Sequence, residues 1–184
     1  MFLNYPFDRI EGTGVTIGWR LPIPPKDSAA ESDALSIVSW QGAGGLELLV
    51  GLRILSVSIN DDDTVLVFET DKGQMAFLAE GDCCSESWFS AINGLDSLLG
   101  RFVLEVRQRP EISVPGTRQE FDELYGYFLL AADDSGKTAL ATTPNGTCEI
   151  EFRNSSNGYY GGSCERLGGP YQGHLRPIKS DFSQ

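Results

Sequence analysis

Residues 53–79 alternate short apolar segments with two polar turns, and this pattern constrains the fold more than any other feature of the chain. In the first segment Leu55, Val57 and Ile59 fall on one face and serines on the other, the two-residue period of a half-buried strand. The second segment is apolar on both faces, which indicates a central strand. Because short turns join antiparallel neighbours, we predict a three-stranded meander. Its strands are 53–59, 64–70 and 74–79.

The period changes in residues 85–93. Trp88, Phe89 and Ile92 have the spacing of one helical face, and Asn93-Gly94 is typical of a helix C-terminus. These residues therefore predict a short helix that crosses the sheet. A second helical turn or a loop is expected at 95–100.

The rest of the main body returns to strand-like segments separated by turns, with a proline-containing loop predicted at 109–118. The further predicted strands are 102–106, 125–132, 138–142, 147–153 and 159–167. Seven or eight strands with one or two short helices predict an α+β fold, mainly antiparallel β.

The chain divides into three parts by composition. Residues 1–45 are predicted to be an N-terminal extension, a hairpin interrupted by a mobile loop at 22–34 that is rich in proline and small residues. A glycine-rich break separates it from the main domain, 46–167. Residues 168–184 are punctuated by proline and glycine and are predicted to be a surface tail.

The chain is strongly acidic. Its 26 acidic and 14 basic residues give a formal charge of −12, which repels nucleic-acid phosphates and anionic lipids. The same charge attracts a basic protein and raises its rate of association. The simpler alternative is that acidity only keeps the protein soluble.

The N-terminal sequence has no basic region followed by an apolar run, as a signal peptide would have. No stretch approaches the ~20 apolar residues of a membrane span. We therefore expect a cytoplasmic protein that does not insert in membranes. In a reducing compartment, the four cysteines are expected to be free thiols.

Two adjacent cysteines, Cys83 and Cys84, are the sharpest candidates for chemistry. A catalytic cysteine usually needs a histidine, and the single histidine, His174, lies in the predicted tail. A zinc site needs four ligands, and adjacent cysteines supply that geometry poorly. Structural packing is therefore the preferred interpretation, with a reactive thiol and a metal site as alternatives. We predict no metal and no cofactor.

The acidic residues and tyrosines also have two interpretations each. Asp82 and Glu86 are expected to cap the predicted helix rather than to act as an acid and base pair. The run 61–63 lacks the ligand pattern of a calcium loop and is expected to be a solvated turn. Tyr159 and Tyr160 must point to opposite faces of a strand; core packing is the simpler interpretation, and an exposed aromatic binding surface is the alternative.

Four short motifs are spread over the main domain. They are Leu-Val-Gly at 49–51, Asp-Cys-Cys with a following acid and aromatic at 82–88, Leu-Leu-Gly at 98–100, and Ser-Asn-Gly-Tyr-Tyr at 156–160. With these motifs, residues 50–167 resemble a family of small phage and bacterial domains of unknown function. Phe152 stands where family members commonly have tryptophan. The resemblance implies a domain boundary near residue 46, and it implies no activity or ligand.

The charge and the lack of a catalytic signature favour a non-catalytic binding protein. The most concrete form is an immunity-type protein or inhibitor that occludes a toxin or defence enzyme with a basic surface. The alternatives are a small-ligand or nucleotide-binding module and a cysteine-dependent enzyme. The predicted binding residues are Asp61, Asp62, Asp63, Asp82, Glu86, Trp88, Tyr159 and Tyr160.

Overall fold

The structure is a computed structural model that describes residues 45–138, 147–158 and 161–183. The predicted extension 1–45, apart from its last residue, and most of the predicted strand 138–142 lie outside these residues. The described strands are β1 (Ile54–Ile59), β2 (Val65–Thr70), β3 (Gly73–Gly81), β4 (Glu86–Asn93), β5 (Phe102–Gln108), β6 (Ile112–Pro115), β7 (Phe121–Ala132), β8 (Cys148–Ser156), β9 (Gly162–Arg166), β10 (Arg176–Ile178) and β11 (Phe182–Ser183). Two 3-10 helices, Leu46–Leu49 and Leu95–Ser97, are the helical elements of the described residues.

The strands form two antiparallel sheets. Sheet one has the order β10-β1-β2-β3-β9, so the predicted meander is confirmed and β2 is its central strand. Sheet two has the order β11-β4-β8-β7-β5, with β6 pairing to β7. The prediction of a mainly antiparallel protein is confirmed, and the α+β label is not supported.

The core lies between the two sheets, because one cluster of buried hydrophobic residues contains side chains from both sheets. In sheet one the rings of Phe68 and Phe77 meet edge to face with centroids 5.7 Å apart. In sheet two Phe152 is fully buried, with Tyr125 stacked on it at 4.5 Å and Tyr127 at 6.2 Å. These two tyrosines are core residues and do not contribute to an aromatic surface.

The predicted helix at 85–93 is wrong, and the reason is a β-bulge. Phe89 pairs with Phe152, and Ala91 pairs with Glu151, the residue adjacent to Phe152 in β8. Ser90 is therefore an extra residue in β4. The bulge shifts the alternation by one, and Phe89 and Ile92 therefore face the core from the same side of the strand. A spacing of three residues on one face resembles a helix in sequence.

The predicted loop at 109–118 contains β6. Its residues pair with the first part of β7, beginning with Ile112 opposite Leu124. Pro115 is the last residue of the strand, where the missing N–H costs little at a sheet edge. The prolines bound this edge strand rather than prevent it.

The C-terminal segment supplies an edge strand to each sheet. β10 pairs with β1, where Ile178 is buried, and β11 pairs with β4. Between them Asp181 accepts hydrogen bonds from the backbone N–H groups of Gly94 (2.8 Å) and Leu95 (3.2 Å). Residues 168–183 thus lie at the surface and also complete both sheets.

Candidate functional site

The Asp-Cys-Cys and Ser-Asn-Gly motifs lie side by side where the chain passes between the sheets. β3 ends in sheet one and β4 begins in sheet two; β8 and β9 make the reverse passage. Because β3 pairs with β9 and β4 with β8, the ends of the two connections lie beside each other. The Asp82 N–H donates to the Gly161 carbonyl at 3.1 Å and fastens them together. Two motifs about seventy residues apart in sequence therefore form one corner of the molecule.

The first connection is a tight turn over residues 82–85. The backbone N–H and the hydroxyl of Ser85 both donate to the Asp82 carbonyl at 3.0 Å. Cys84 has a φ of 71°, a left-handed conformation that is uncommon for a residue with a Cβ. The Gln119 amide donates to its carbonyl at 3.1 Å and helps to hold this conformation.

Cys83 and Cys84 are both exposed, with their Sγ atoms 3.4 Å apart. The preferred prediction that they pack in the core is therefore wrong, because the turn that joins the two sheets lies at the surface of the protein and not in its core. The buried cysteines are Cys148 and Cys164, which face the core from β8 and β9. Burial raises the pKa of both thiols far above the usual range.

An open groove of about 680 Å³ lies next to this corner. Carboxylates from three separate segments line it: the β1–β2 turn, the end of β3 and the start of β4. Arg118 also lines it. The acidic residues are Asp61, Asp62, Asp63, Glu80 and Glu86. Asp82 is exposed in the neighbouring turn and is not part of the lining.

The three aspartates of the β1–β2 turn differ in role. Asp63 is buried with a φ of 58°, pairs with Arg176, and its carbonyl accepts the Phe89 N–H of sheet two at 2.7 Å. Asp61 is exposed and meets Nδ1 of His174 at 3.1 Å, and Asp62 is also exposed. Asp61 and Asp62 thus lie at the surface, Asp61 in contact with His174, whereas Asp63 joins the sheets.

Glu86 and Trp88 are joined by Arg118. The guanidinium lies 3.8 Å above the Trp88 ring and donates to Glu86 at 3.0 Å. Trp88 is only 5% exposed under this cover and beside its cross-strand neighbour Arg153. Trp88, one of the predicted binding residues, is therefore covered by Arg118 and lies outside the groove lining.

The second motif is described only in part. Gly158 has a φ of 88°, as its predicted turn requires, and its N–H donates to the Ser156 hydroxyl at 3.0 Å. Tyr159 and Tyr160 lie outside the described residues.

A row of alternating charges crosses sheet two. Arg109 binds Glu149 at 3.4 Å and Glu151 at 2.7 Å, and Arg153 lies 3.9 Å from Glu151. Burial raises the pKa of Glu149, partly opposed by Arg109. The two arginines are engaged by carboxylates, while Arg101 donates to the Asp96 carbonyl. An anionic ligand would require Arg101, Arg107, Arg109 and Arg153 to cluster. Three of these four arginines pair with carboxylates, Arg107 with Glu105.

Asp122 ends this row and is a residue that the sequence analysis missed. It is fully buried and accepts hydrogen bonds from the Ser155 hydroxyl (2.6 Å), from the hydroxyl and N–H of Thr117 (2.7 and 3.1 Å), and from Arg153 (3.2 Å). Burial alone would raise its pKa, but the bonds from Ser155 and Thr117 outweigh burial and lower it. Asp122 lies outside the predicted strand 125–132 and is followed directly by Glu123, so no local signal distinguishes it.

Residues 45–138, 147–158 and 161–183 contain no group of three or more histidine, cysteine, aspartate or glutamate side chains arranged to hold a metal ion. Nor do they include a helix of the length and apolar character that crossing a membrane requires.

The fold and site define a class: a two-sheet antiparallel β protein with an acidic groove beside an exposed thiol pair. The chain belongs to the DUF7448 family, a domain of unknown function, whose model matches residues 47–165. Uncharacterized protein L278 of Acanthamoeba polyphaga mimivirus is 32% identical over 124 residues, which cover 64% of this chain and 89% of that protein. No solved structure gives a significant match. Membership of a family of unknown function is thus confirmed.

Proposed function

We propose that this protein is a non-catalytic binding protein whose acidic groove receives a cationic side chain of a basic protein partner. In its most concrete form it is an immunity-type protein or inhibitor that occludes a toxin or defence enzyme. The observation that carries this proposal is the convergence of carboxylates from three segments on one open groove.

The charge balance of the groove supports a cationic guest. Its lining holds five carboxylates and one arginine; Arg118 binds Glu86 and Arg176 pairs with Asp63. The other three carboxylates, Asp61, Asp62 and Glu80, are exposed and outnumber the cations of the lining. Asp61 and Asp62 stand exposed in the lining. Two unit charges 4 Å apart near a protein surface attract by about 4 kcal/mol before desolvation and entropy are counted. A lysine or arginine placed between these aspartates therefore gains most at low salt.

A small cationic ligand is the second candidate. The groove volume, about 680 Å³, falls within the ~300–1,000 Å³ of small-molecule sites. The carboxylates favour an amine or polyamine over an anionic nucleotide. The open and polar character of the groove favours a protein side chain, because drug-sized ligands are mostly enclosed by apolar walls.

The test is affinity capture from cells that carry the gene, using matched charge variants. The groove variant combines Asp61→Asn with Asp62→Asn and leaves the buried Asp63 intact. The control combines Glu111→Gln with Glu120→Gln, two exposed carboxylates outside the lining, and changes the net charge equally. We expect the groove variant to lose a basic partner that wild type and control retain. Equal loss in both variants would mean that only bulk charge matters, and retention in both would place the binding surface elsewhere.

A further inference from the structure

The exposed pair Cys83 and Cys84 is set apart from the other thiols by geometry. Their sulfurs are 3.4 Å apart on the outside of the 82–85 turn. Hydrogen bonds to Gly161 and from Gln119 hold the backbone of this turn in the conformation that places both thiols on its outer side. Cys148 and Cys164 are buried in the core and separated from solvent.

A disulfide between adjacent residues is strained. Their Cα atoms are about 3.8 Å apart across a trans peptide, less than the ~4.4–6.8 Å of ordinary disulfides. Strained and exposed disulfides are the easily reduced ones, and they serve regulatory or catalytic roles rather than structural ones. An accessible cysteine beside a second one that can resolve its adduct is also the arrangement of redox-sensing thiols.

We propose that Cys83 and Cys84 are a reversible two-electron thiol pair that reacts with a small-molecule disulfide of the glutathione class. One cysteine thiolate attacks the disulfide, forms a mixed disulfide, and releases one small thiol. The neighbouring cysteine then attacks the protein sulfur of that adduct and releases the second small thiol. Two cysteine thiols are oxidised to one disulfide, the small disulfide is reduced to two thiols, and the two cysteine protons end on those thiols.

The two thiols act on each other directly. The hydrogen bond with Cys84, repulsion from Cys84, and weaker effects of burial and Asp82 raise the pKa of Cys83. Because both sulfurs are exposed and within reach of each other, either cysteine can attack first and its neighbour then resolves the adduct.

Formation of the Cys83–Cys84 disulfide changes the shape of the acidic groove. The sulfurs must approach from 3.4 Å to about 2.05 Å, which pulls on a turn that has one residue in a left-handed conformation. The residues that flank the turn, Gly81 and Glu86, both line the acidic groove. Oxidation therefore reshapes one end of the groove. The thiol pair itself does not depend on what the groove binds.

The experiment treats the reduced full-length protein with oxidised glutathione and follows its intact mass. We expect wild type to lose two hydrogen atoms, to keep no glutathione, and to recover its mass with dithiothreitol. Peptide mapping should place the bond within residues 83–84, with Cys148 and Cys164 still reduced. We expect Cys83→Ser and Cys84→Ser each to retain one glutathione on the remaining cysteine, because neither variant has a neighbouring thiol to resolve the mixed disulfide.

Three results would overturn the proposal. They are a glutathione adduct that persists on wild type, a bond that involves Cys148 or Cys164, and native cysteines that stay reduced under conditions in which the urea-unfolded chain reacts. Circular dichroism checks that both serine variants fold. If either does not, the mass and peptide map of wild type decide the question alone.

Discussion

At the scale of single residues, the carboxylates of the protein differ in burial and in their hydrogen-bond partners. Asp122 is buried, yet hydroxyls, a backbone N–H and a guanidinium satisfy its oxygens. A buried carboxylate with these donors is held in its charged form. Asp61 and Asp62 are exposed, with much of their surface in water. Asp122 is therefore a structural charge, and the two exposed aspartates are the ones available for recognition.

Asp122→Asn should destabilise the fold. The amide cannot accept the same set of bonds, and it removes the nearer of the two carboxylates that pair with the partly buried Arg153. Loss of hydrogen bonds to a buried charge costs about 2 kcal/mol or more. Urea unfolding measures the change, and Glu120→Gln, at an exposed position, is the control. A change within about 0.5 kcal/mol, as for ordinary surface substitutions, would contradict the structural role.

The same variant should alter the acid dependence of stability. The folded pKa of Asp122 lies below the ordinary value of 3.8, so its charged form stabilises the fold above that value. This contribution is lost as the pH falls through the lower, folded pKa. The difference in free energy of unfolding between wild type and Asp122→Asn should thus be constant above about pH 5 and shrink below about pH 4. A difference that grows on acidification would contradict the lowered pKa.

At the scale of elements, the strands that meet at the corner between the sheets differ in how well their sequences predict them. The meander β1-β2-β3 was predictable because its period and turns are local signals. The strand β4 was not, because the bulge at Ser90 copies the spacing of a helix. The exposure of Cys83 and Cys84 depends on the chain changing sheets at residue 82, and no local pattern announces that change.

The corner turn should be sensitive to the residue before it. A Cβ added at Gly81 would lie 2.8 Å from the Ser85 carbonyl oxygen and 2.9 Å from its carbon, so the backbone must shift. Gly81→Ala is therefore expected to destabilise by about 1–3 kcal/mol. Gly168→Ala, where nothing lies within 4 Å, is the matched control and should be near neutral. Equal melting temperatures for the two variants would show that the turn can shift to admit the Cβ with no loss of stability.

At the scale of the whole molecule, the sequence predicted the strands better than their assembly. The buried positions Val57 and Ile59 of β1 and the double apolar face of β2 were predictable, because alternation within a strand reports its burial. Leu55, predicted on the same face as Val57 and Ile59, is instead 54% exposed, because a bulge between Ile54 and Ser56 shifts the alternation. The pairing of β10 with β1 joins residues more than a hundred positions apart, and Asp122 meets Ser155 between the neighbouring strands β7 and β8. Such contacts depend on pairings between segments that are distant in sequence. The acidic groove has the same origin, since its three segments come together only when β1, β3 and β4 are in place.

The described sheets should fold without the N-terminal segment. Residues 38–184 form one compact unit, and the described part of it has its own core between two sheets. A fragment of residues 38–184 is expected to unfold cooperatively, with a midpoint within about 4 °C of the full chain by calorimetry. The comparison fragment 38–170 lacks β10 and β11 and uncovers two sheet edges, so it should melt lower or aggregate. Insoluble 38–184 would mean that the N-terminal residues complete the fold.

The overall charge of −12 should be most visible in association kinetics. Charges at the rim of an interface act mainly on the association rate and its salt dependence, whereas buried pairs act on the dissociation rate. With the captured partner on a biosensor surface, Asp61→Asn with Asp62→Asn should slow association by roughly threefold or more at low salt and flatten its dependence on salt. Glu111→Gln with Glu120→Gln carries the same net charge and should stay closer to wild type, because local potential at the groove steers the partner. An unchanged association rate with faster dissociation would instead make the two aspartates buried contacts of the complex.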